Sequence, residues 1–400
     1  MRIRRIDKIN SPRVFFAVFL LAVLYYSISE AALESSVFST ASNESDYYAS
    51  LVFSEKEWRF AQQFRKDLIS LGERRSVVPG TLFYKYKPAK TESFAINSFG
   101  YRGDEIQPKE KDEFRIVVFG DSRIFGVLLA DENTIPGALE NNLKKAFPGK
   151  KIKVLNFGVE GLNFQRIADA AKHYYREVEA DIILFDSGTS DINEAFVSGW
   201  RNLEPYDENA LLPPAFGERP DEQLSAKIKL FNTIKLTFIS DIAKFEKMSS
   251  GHDFVSVAIS PEKIEKSDIF VKKLSENVED VCLYFKERGV YAAYILPPIA
   301  QLHKPVSEIE GHLLFRHESF SPGLNLFSQR SWEKISEILA KKRNFKVIDL
   351  SMVFEGTKET MFYDGVHFTP AASRIMAHEL SGKLAVIIEE IQNENAEKNR

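Results

Sequence analysis

Phe114-Arg-Ile-Val-Val-Phe-Gly-Asp-Ser122 decides the fold of this chain. Residues 115–119 are mostly β-branched or aromatic and stop abruptly at Gly120. That is the pattern of a strand buried on both faces that ends in a tight turn. Open α/β sheets collect their ligands at the carboxyl ends of the strands, which is where Ser122 falls. A helix is expected to follow, and the N–H groups at its start point toward negative charge developing beside the hydroxyl. Asp and Ser are also ordinary helix-capping residues, so Gly120-Asp-Ser122 by itself does not establish chemistry.

A second stretch lies far downstream, at Tyr363-Asp-Gly-Val-His-Phe-Thr-Pro370. Asp364 and His367 are close enough for the carboxylate to orient the imidazole. A serine nucleophile needs a base, and the base needs an orienting acid. Either motif alone reads as a turn, the second leading into a Pro-started helix. An early serine paired with a late Asp-x-x-His is much harder to obtain by accident.

Between these motifs the chain alternates. Strands are expected over residues 115–119, 153–157, 181–185, 291–296 and 346–350, and helices over 135–146, 164–177, 263–288 and 371–391. Such a rhythm implies a parallel sheet covered on both faces and joined by right-handed crossovers. Two stretches interrupt it. Residues 194–253 are too long for one connection and read as a lid, a substrate-binding element or a stabilising surface insertion. Residues 303–322 read as an irregular loop carrying His303, His312 and His317, whose spacing fits no metal-site helix motif. His173 and His378, on expected helices, and His252, at a turn, read as structural.

From about Ser98 to about Ile388 the sequence resembles the SGNH hydrolases, also called the GDSL esterases and lipases. Gly120-Asp-Ser122 matches the family's first block, which carries the nucleophile. Asn156-Phe-Gly-Val-Glu-Gly161 resembles the second, whose glycine gives an N–H to the oxyanion hole; Gly161 is the better match and Gly158 the alternative. Gly188-Thr-Ser-Asp191 stands where Gly-x-Asn-Asp belongs, with Ser190 in place of the oxyanion asparagine. Asp364-x-x-His367 matches the fifth block. The upstream Asn97-Ser-Phe-Gly-Tyr-Arg-Gly103 resembles the lead-in of membrane-anchored bacterial members linked to surface polysaccharides.

The resemblance implies a flavodoxin-like three-layer α/β sandwich with a parallel sheet. It implies catalytic Ser122, Asp364 and His367, an oxyanion hole from Ser122, Gly161 and Ser190, and neither cofactor nor metal. The implied activity is ester hydrolysis on an acylated carbohydrate or lipid outside the cytoplasm. The alternatives are O-acyl transfer to a surface polysaccharide and a non-catalytic role in polysaccharide assembly. Asp121 is expected to hold the turn.

The N-terminus carries Arg2, Arg4, Arg5, Lys8 and Arg13 against one acid, Asp7, and residues 14–29 carry no charge. Sixteen helical residues span roughly 24 Å, slightly short of a bilayer core. This reads as a signal anchor in the inner membrane with its basic end inside, or as a signal peptide cut near Ser29-Glu-Ala31. Either puts the remainder outside the cytoplasm. The expected organisation is therefore a membrane segment over 1–32, a linker and helical/β lead-in over 33–97, and a catalytic domain over 98–393 with an insertion at about 194–253. In the lead-in, Trp58, Phe60, Ala61, Phe64, Leu68 and Leu71 share a helical stripe, and residues 77–102 have strand-and-turn spacing.

A formal net charge of −4 gives no global sign of nucleic-acid binding. The 32 phenylalanines are expected mainly in the core. Cys282 is the lone cysteine, so the chain forms no internal disulfide and no cysteine-based metal site. It sits in a helical pattern and reads as core.

Overall fold

The computed structural model of the protein describes residues 48–72, 75–206, 259–300, 302 and 304–398. The expected membrane segment and linker, most of the expected insertion, His252 and His303 lie outside the described residues. Among the described residues, no helix is long and apolar enough to cross a membrane.

The lead-in contains helix α1 (Glu55–Gly72) and two small antiparallel sheets, β1 (Arg75–Val77) with β2 (Tyr84–Tyr86) and β3 (Ala89–Lys90) with β4 (Ala95–Ile96). The α/β unit follows as β5 (Glu113–Gly120), α2 (Ser122–Phe125), α3 (Ile135–Ala146), β6 (Lys151–Gly158), α4 (Phe164–Tyr174), β7 (Ile182–Asp186) and α5 (Thr189–Ser198). It continues through α6 (Pro261–Lys286), β8 (Tyr291–Leu296), α7 (Glu308–Phe320), α8 (Leu324–Lys341), β9 (Lys346–Asp349) and α9 (Pro370–Lys398).

The five large strands form one parallel sheet in the order β6-β5-β7-β8-β9. Counting those five along the chain, the order is 2-1-3-4-5, the flavodoxin-like arrangement with its switch point between the first and third strands. Gly120 is level with Gly158 on one side and with Asp186 on the other, so the three loops that leave these strands open from one edge. Strand alternation splits the core in two. Val117, Phe119, Phe157, Ile183, Phe185 and Tyr294 face α1, α4, α6 and α8. Ile116, Val118, Val154, Leu184 and Ile295 face α3 and α9.

The helix expected over 135–146 is found with those bounds. Thr134 caps it, its side chain accepting from the Gly137 amide, and Pro136 stands in its first turn, where a missing N–H is harmless. The strands β5 and β6 run longer than expected because their polar first residues pair across the ladder, Glu113 beside Lys151. After Tyr174 the chain leaves the helix and goes on in turns that end at Glu179, φ 51°. The last helix continues past Ile391 to Lys398 because nothing there breaks it. Residues 189–198 form a helix across the expected start of the insertion.

One expectation is corrected. Residues 303–322 are not an irregular loop, since Glu308–Phe320 is helical. A capping box starts that helix: the Ser307 hydroxyl accepts from the Glu310 amide while Glu310 reaches back to the Ser307 amide. That reciprocal pair satisfies two of the helix's orphan donors.

The lead-in shares its core with the sheet. Ala61, Phe64, Leu68 and Leu71 of α1 are buried, as the stripe predicts. Phe64 meets Phe94 at 4.6 Å between ring centroids, and Phe94 meets Phe125 of α2 at 5.9 Å. Tyr101 stacks on Phe157 of β6 at 4.0 Å. Cys282 is buried in α6, and burial pushes its thiol up to about 12.

Candidate active site

Ser122 opens α2 immediately beyond β5, and Asp364 and His367 come from the loop that leads into α9. Though 245 residues apart, His367 Nε2 and Ser122 Oγ lie 2.7 Å from each other. His367 Nδ1 lies 2.7 Å from Asp364 Oδ2. The three side chains form one hydrogen-bonded chain at the carboxyl edge of the sheet. With Asp364 ionised, the tautomer that fits carries its proton on Nδ1 and leaves Nε2 as the acceptor from the serine hydroxyl.

The remaining oxygen of Asp364 is also used. Oδ1 accepts from the amides of Val366, at 3.0 Å, and His367, at 2.7 Å. Burial opposes ionisation of Asp364, but His367 and these amides outweigh it and hold the carboxyl below its ordinary value. Burial likewise opposes protonation of His367. The attraction and hydrogen bond of Asp364 outweigh that, with help from Asp121 and Glu160, so the imidazole sits above its ordinary value of 6.5. Tyr363 lies nearly parallel to the imidazole at 5.7 Å and donates to the Val127 carbonyl at 3.1 Å, tying this loop to the chain after α2.

Asp121 holds the turn as expected, its Oδ1 accepting from the Arg123 amide at 3.0 Å. Sequence reasoning missed what stands behind it. Arg123, buried, donates to Asp186 at the end of β7 at 2.7 Å and approaches Asp121 at 3.4 Å. Burial raises the carboxyl of Asp186 against the pull of that guanidinium. Arg102, just beyond the lead-in, is buried too. It donates to the carbonyls of Phe125, Gly126 and Leu129 at 2.9, 2.7 and 2.5 Å, and to Asp131 at 2.7 Å. Phe125 ends the four-residue helix α2, and Gly126 and Leu129 follow it; the last carbonyls of so short a helix need donors from outside it. No spacing in the sequence links Arg102 to the end of α2.

The base loop has its own anchor. Glu310 of α7 accepts from the amides of Met361 and Phe362 at 2.8 and 3.2 Å through Oε1, and pairs with Lys304 at 2.6 Å through Oε2. Both side chains of the pair are 1% exposed. The signal for Glu310 was legible as Ser-x-x-Glu, a capping box. Of the loop histidines, His312 is exposed, and His317 packs so closely on Gly365 that a Cβ there would lie 2.7 Å from its ring.

The expected oxyanion residues lie on the two neighbouring loops. The Gly158 N–H is already given to Asn156 Oδ1 at 2.9 Å. The N–H groups of Gly161 and Ser122 have no acceptor among the described residues, which favours Gly161 over Gly158. Gly161 has φ +71°, a region that favours glycine. Ser190 is half-buried in the first turn of α5. Gly188 precedes it at φ +138°, and a Cβ there would lie 2.2 Å from the ring of Trp332, so neither backbone nor space admits another residue. Asp191 ties the two loops together, accepting from the Phe164 amide at 2.8 Å, while burial pushes its carboxyl up to about 7. No group of three or more His, Cys, Asp or Glu able to hold a metal occurs among the described residues.

No model of a known protein family matches the chain, and no curated protein matches it. Among solved structures the chain is similar to a lipase/acylhydrolase from Enterococcus faecalis, at 17% identity and TM-score 0.33, over 68% of this chain and 95% of that one. It is similar to a psychrotrophic esterase from a Pseudoalteromonas species, at 12% identity and TM-score 0.36, over 69% and 98%. A third is a catalytic mutant of an acetylxylan esterase from Geobacillus stearothermophilus, at 13% identity and TM-score 0.32, over 68% and 94%. Likeness at this level transfers no residue's role, and the chemistry of the site rests on its own geometry.

Proposed function

We propose that the protein is a serine acyl hydrolase of the SGNH type. The observation that carries this reading is the Ser122–His367–Asp364 chain, with 2.7 Å at both links, inside hydrogen-bond reach for proton transfer. Ser122 Oγ attacks the acyl carbonyl carbon as His367 Nε2 takes its proton. Asp364 stabilises the imidazolium and holds its orientation. The carbonyl oxygen becomes an oxyanion beside the N–H groups of Ser122 and Gly161, with the Ser190 hydroxyl as a third donor. Collapse breaks the ester C–O bond, and His367 returns the proton to the leaving alcohol. Water then repeats the sequence on the acyl-enzyme and regenerates Ser122.

The proposed substrate is an acylated carbohydrate or lipid outside the cytoplasm, reached by a protein held in the cell membrane through its N-terminus. The basic residues before Val14 and the uncharged run after it support that location. A fluorophosphonate probe tests the chemistry: it is expected to label Ser122, and Ser122→Ala is expected to lose both labelling and ester turnover while staying folded. A wild-type protein that is folded and unlabelled overturns the reading and leaves the non-catalytic assembly role. Sugar acceptors added to the ester assay separate hydrolysis from transfer, because a transferase moves the acyl group to the sugar in preference to water.

A further inference from the structure

We infer that Tyr84 is a positioning residue for the oxyanion donor of Gly161, so that the lead-in is a working part of the site. This rests on the acyl-hydrolase reading above. Tyr84 lies on β2, outside the α/β unit, and is 1% exposed. Its hydroxyl donates to the carbonyl of Glu160 at 2.7 Å. That carbonyl and the N–H of Gly161 belong to the same peptide unit. The unit is planar and trans, so its oxygen and its hydrogen point in opposite directions. Anchoring the oxygen therefore aims the N–H.

Three further observations fit. The Gly161 N–H has no acceptor among the described residues, so no internal bond competes for its direction. At φ +71° the residue has glycine's wide conformational freedom, and an outside contact is needed to choose one orientation. A Cβ on Gly161 would sit 3.0 Å from Tyr84 Oη, so the hydroxyl also limits how far the loop can swing. A hydrogen bond accepted by a carbonyl polarises its amide, which strengthens the N–H as a donor. Burial pushes the phenol of Tyr84 up to about 12, so it remains a donor throughout the neutral range. A tyrosine that only filled space would need none of this; here its partner is the carbonyl of the donor's own peptide.

Tyr84→Phe removes the hydroxyl and keeps the ring. Tyr101→Phe is the control, because Tyr101 is a buried tyrosine nearby in the chain whose hydroxyl has no partner among the described residues. Both are compared with wild type on a short-chain aryl ester and with the fluorophosphonate, whose phosphoryl oxygen takes the place of the oxyanion. For Tyr84→Phe, kcat and the labelling rate constant are expected to fall together, roughly ten- to thirty-fold, less than the roughly 100-fold or greater loss from removing a donor outright. KM and the acid limb of the pH profile are expected to stay put, because the triad is untouched. Partial unfolding would lower the amplitude of labelling and leave its rate constant unchanged. Tyr84→Phe labelled as fast as Tyr101→Phe, with wild type labelled at Ser122, overturns this inference and leaves the acyl-hydrolase reading standing. A rate loss accompanied by a displaced acid limb also overturns it, by showing a disturbed triad. Wild type unlabelled at Ser122 overturns both.

Discussion

The backbone around Ser122 is held by a guanidinium, and the backbone around His367 by carboxylates. Behind Ser122 stand two buried guanidiniums: Arg102 on the carbonyls of Phe125, Gly126 and Leu129, and Arg123 between the buried carboxylates of Asp121 and Asp186. Behind His367 the backbone is held by carboxylates: Glu310, paired with the buried Lys304, on the amides of Met361 and Phe362, and Asp364 on those of Val366 and His367. For Arg102, Glu310 and Asp364 the sign follows from which backbone groups the side chain meets. A very short helix ends in orphan carbonyls and calls for donors, whereas a turn entering a helix presents orphan N–H groups and calls for acceptors.

That contrast can be broken from either side. The largest effect is expected from Arg102→Ala, which strips donors from three buried carbonyls and opens a gap among Phe64, Phe94 and Phe125. A loss on the order of 4 kcal/mol follows from the charged hydrogen bonds alone, read as a lower urea midpoint. A change under about 1 kcal/mol would mean the carbonyls find water instead. Next comes Glu310→Gln, which keeps an acceptor but leaves Lys304 charged and buried without its partner. About 3 kcal/mol is expected, together with lower kcat as the Asp364–His367 loop loosens; unchanged kcat in a destabilised protein would show that the loop holds its shape without the charge.

Ser190→Asn probes the third donor position. An asparagine amide reaches further than a hydroxyl, and a gain of about tenfold in kcat on small aryl esters, ~1.4 kcal/mol, is expected. The gain should vanish when Ser122 is also replaced. No gain with the fold intact would mean another group already fills the third donor position. The gentlest test is pH. Because the fold raises the pKa of His367, the imidazolium contributes stability below the ordinary histidine value, and that contribution is lost as pH rises through the folded value. Catalysis needs the neutral ring, so the acid limb of kcat/KM should lie above 6.5, the histidine reference, and move down in Asp364→Asn. An acid limb below that value would contradict the arrangement.

Much of this molecule was legible in the sequence where a signal was local. The hydrophobic run ending at Gly120, the Asp-x-x-His spacing and the helix over 135–146 all rest on signals within a few residues, and the structure places them as read. The 303–322 stretch reads as a loop when taken by its histidines, whereas the capping box from Ser307 to Glu310 starts a helix within it. The supports behind the site were beyond reach for a different reason. Arg102 meets its carbonyls 23 to 27 residues away, and Arg123 meets Asp186 across 63. The sheet's switch point brings Arg123 and Asp186 together, by setting β5 beside β7. Tyr84 was seen as strand-like, but nothing in its neighbours points to a peptide 76 residues on.

Trp332 gives the protein an optical property. Its indole is 1% exposed, donates to the Pro297 carbonyl at 3.0 Å and lies flush against Gly188, two positions before Ser190. The other two tryptophans are Trp58 and Trp200. An indole so enclosed emits at short wavelength, and its excited-state dipole responds to the orientation of nearby peptide groups. Emission recorded against a Trp332→Phe blank therefore reads the loop that carries the third donor position, with no label added to the chain. A phosphonate seated at Ser122 should alter that signal before any turnover is measured, and an unchanged spectrum would place the loop outside the bound site.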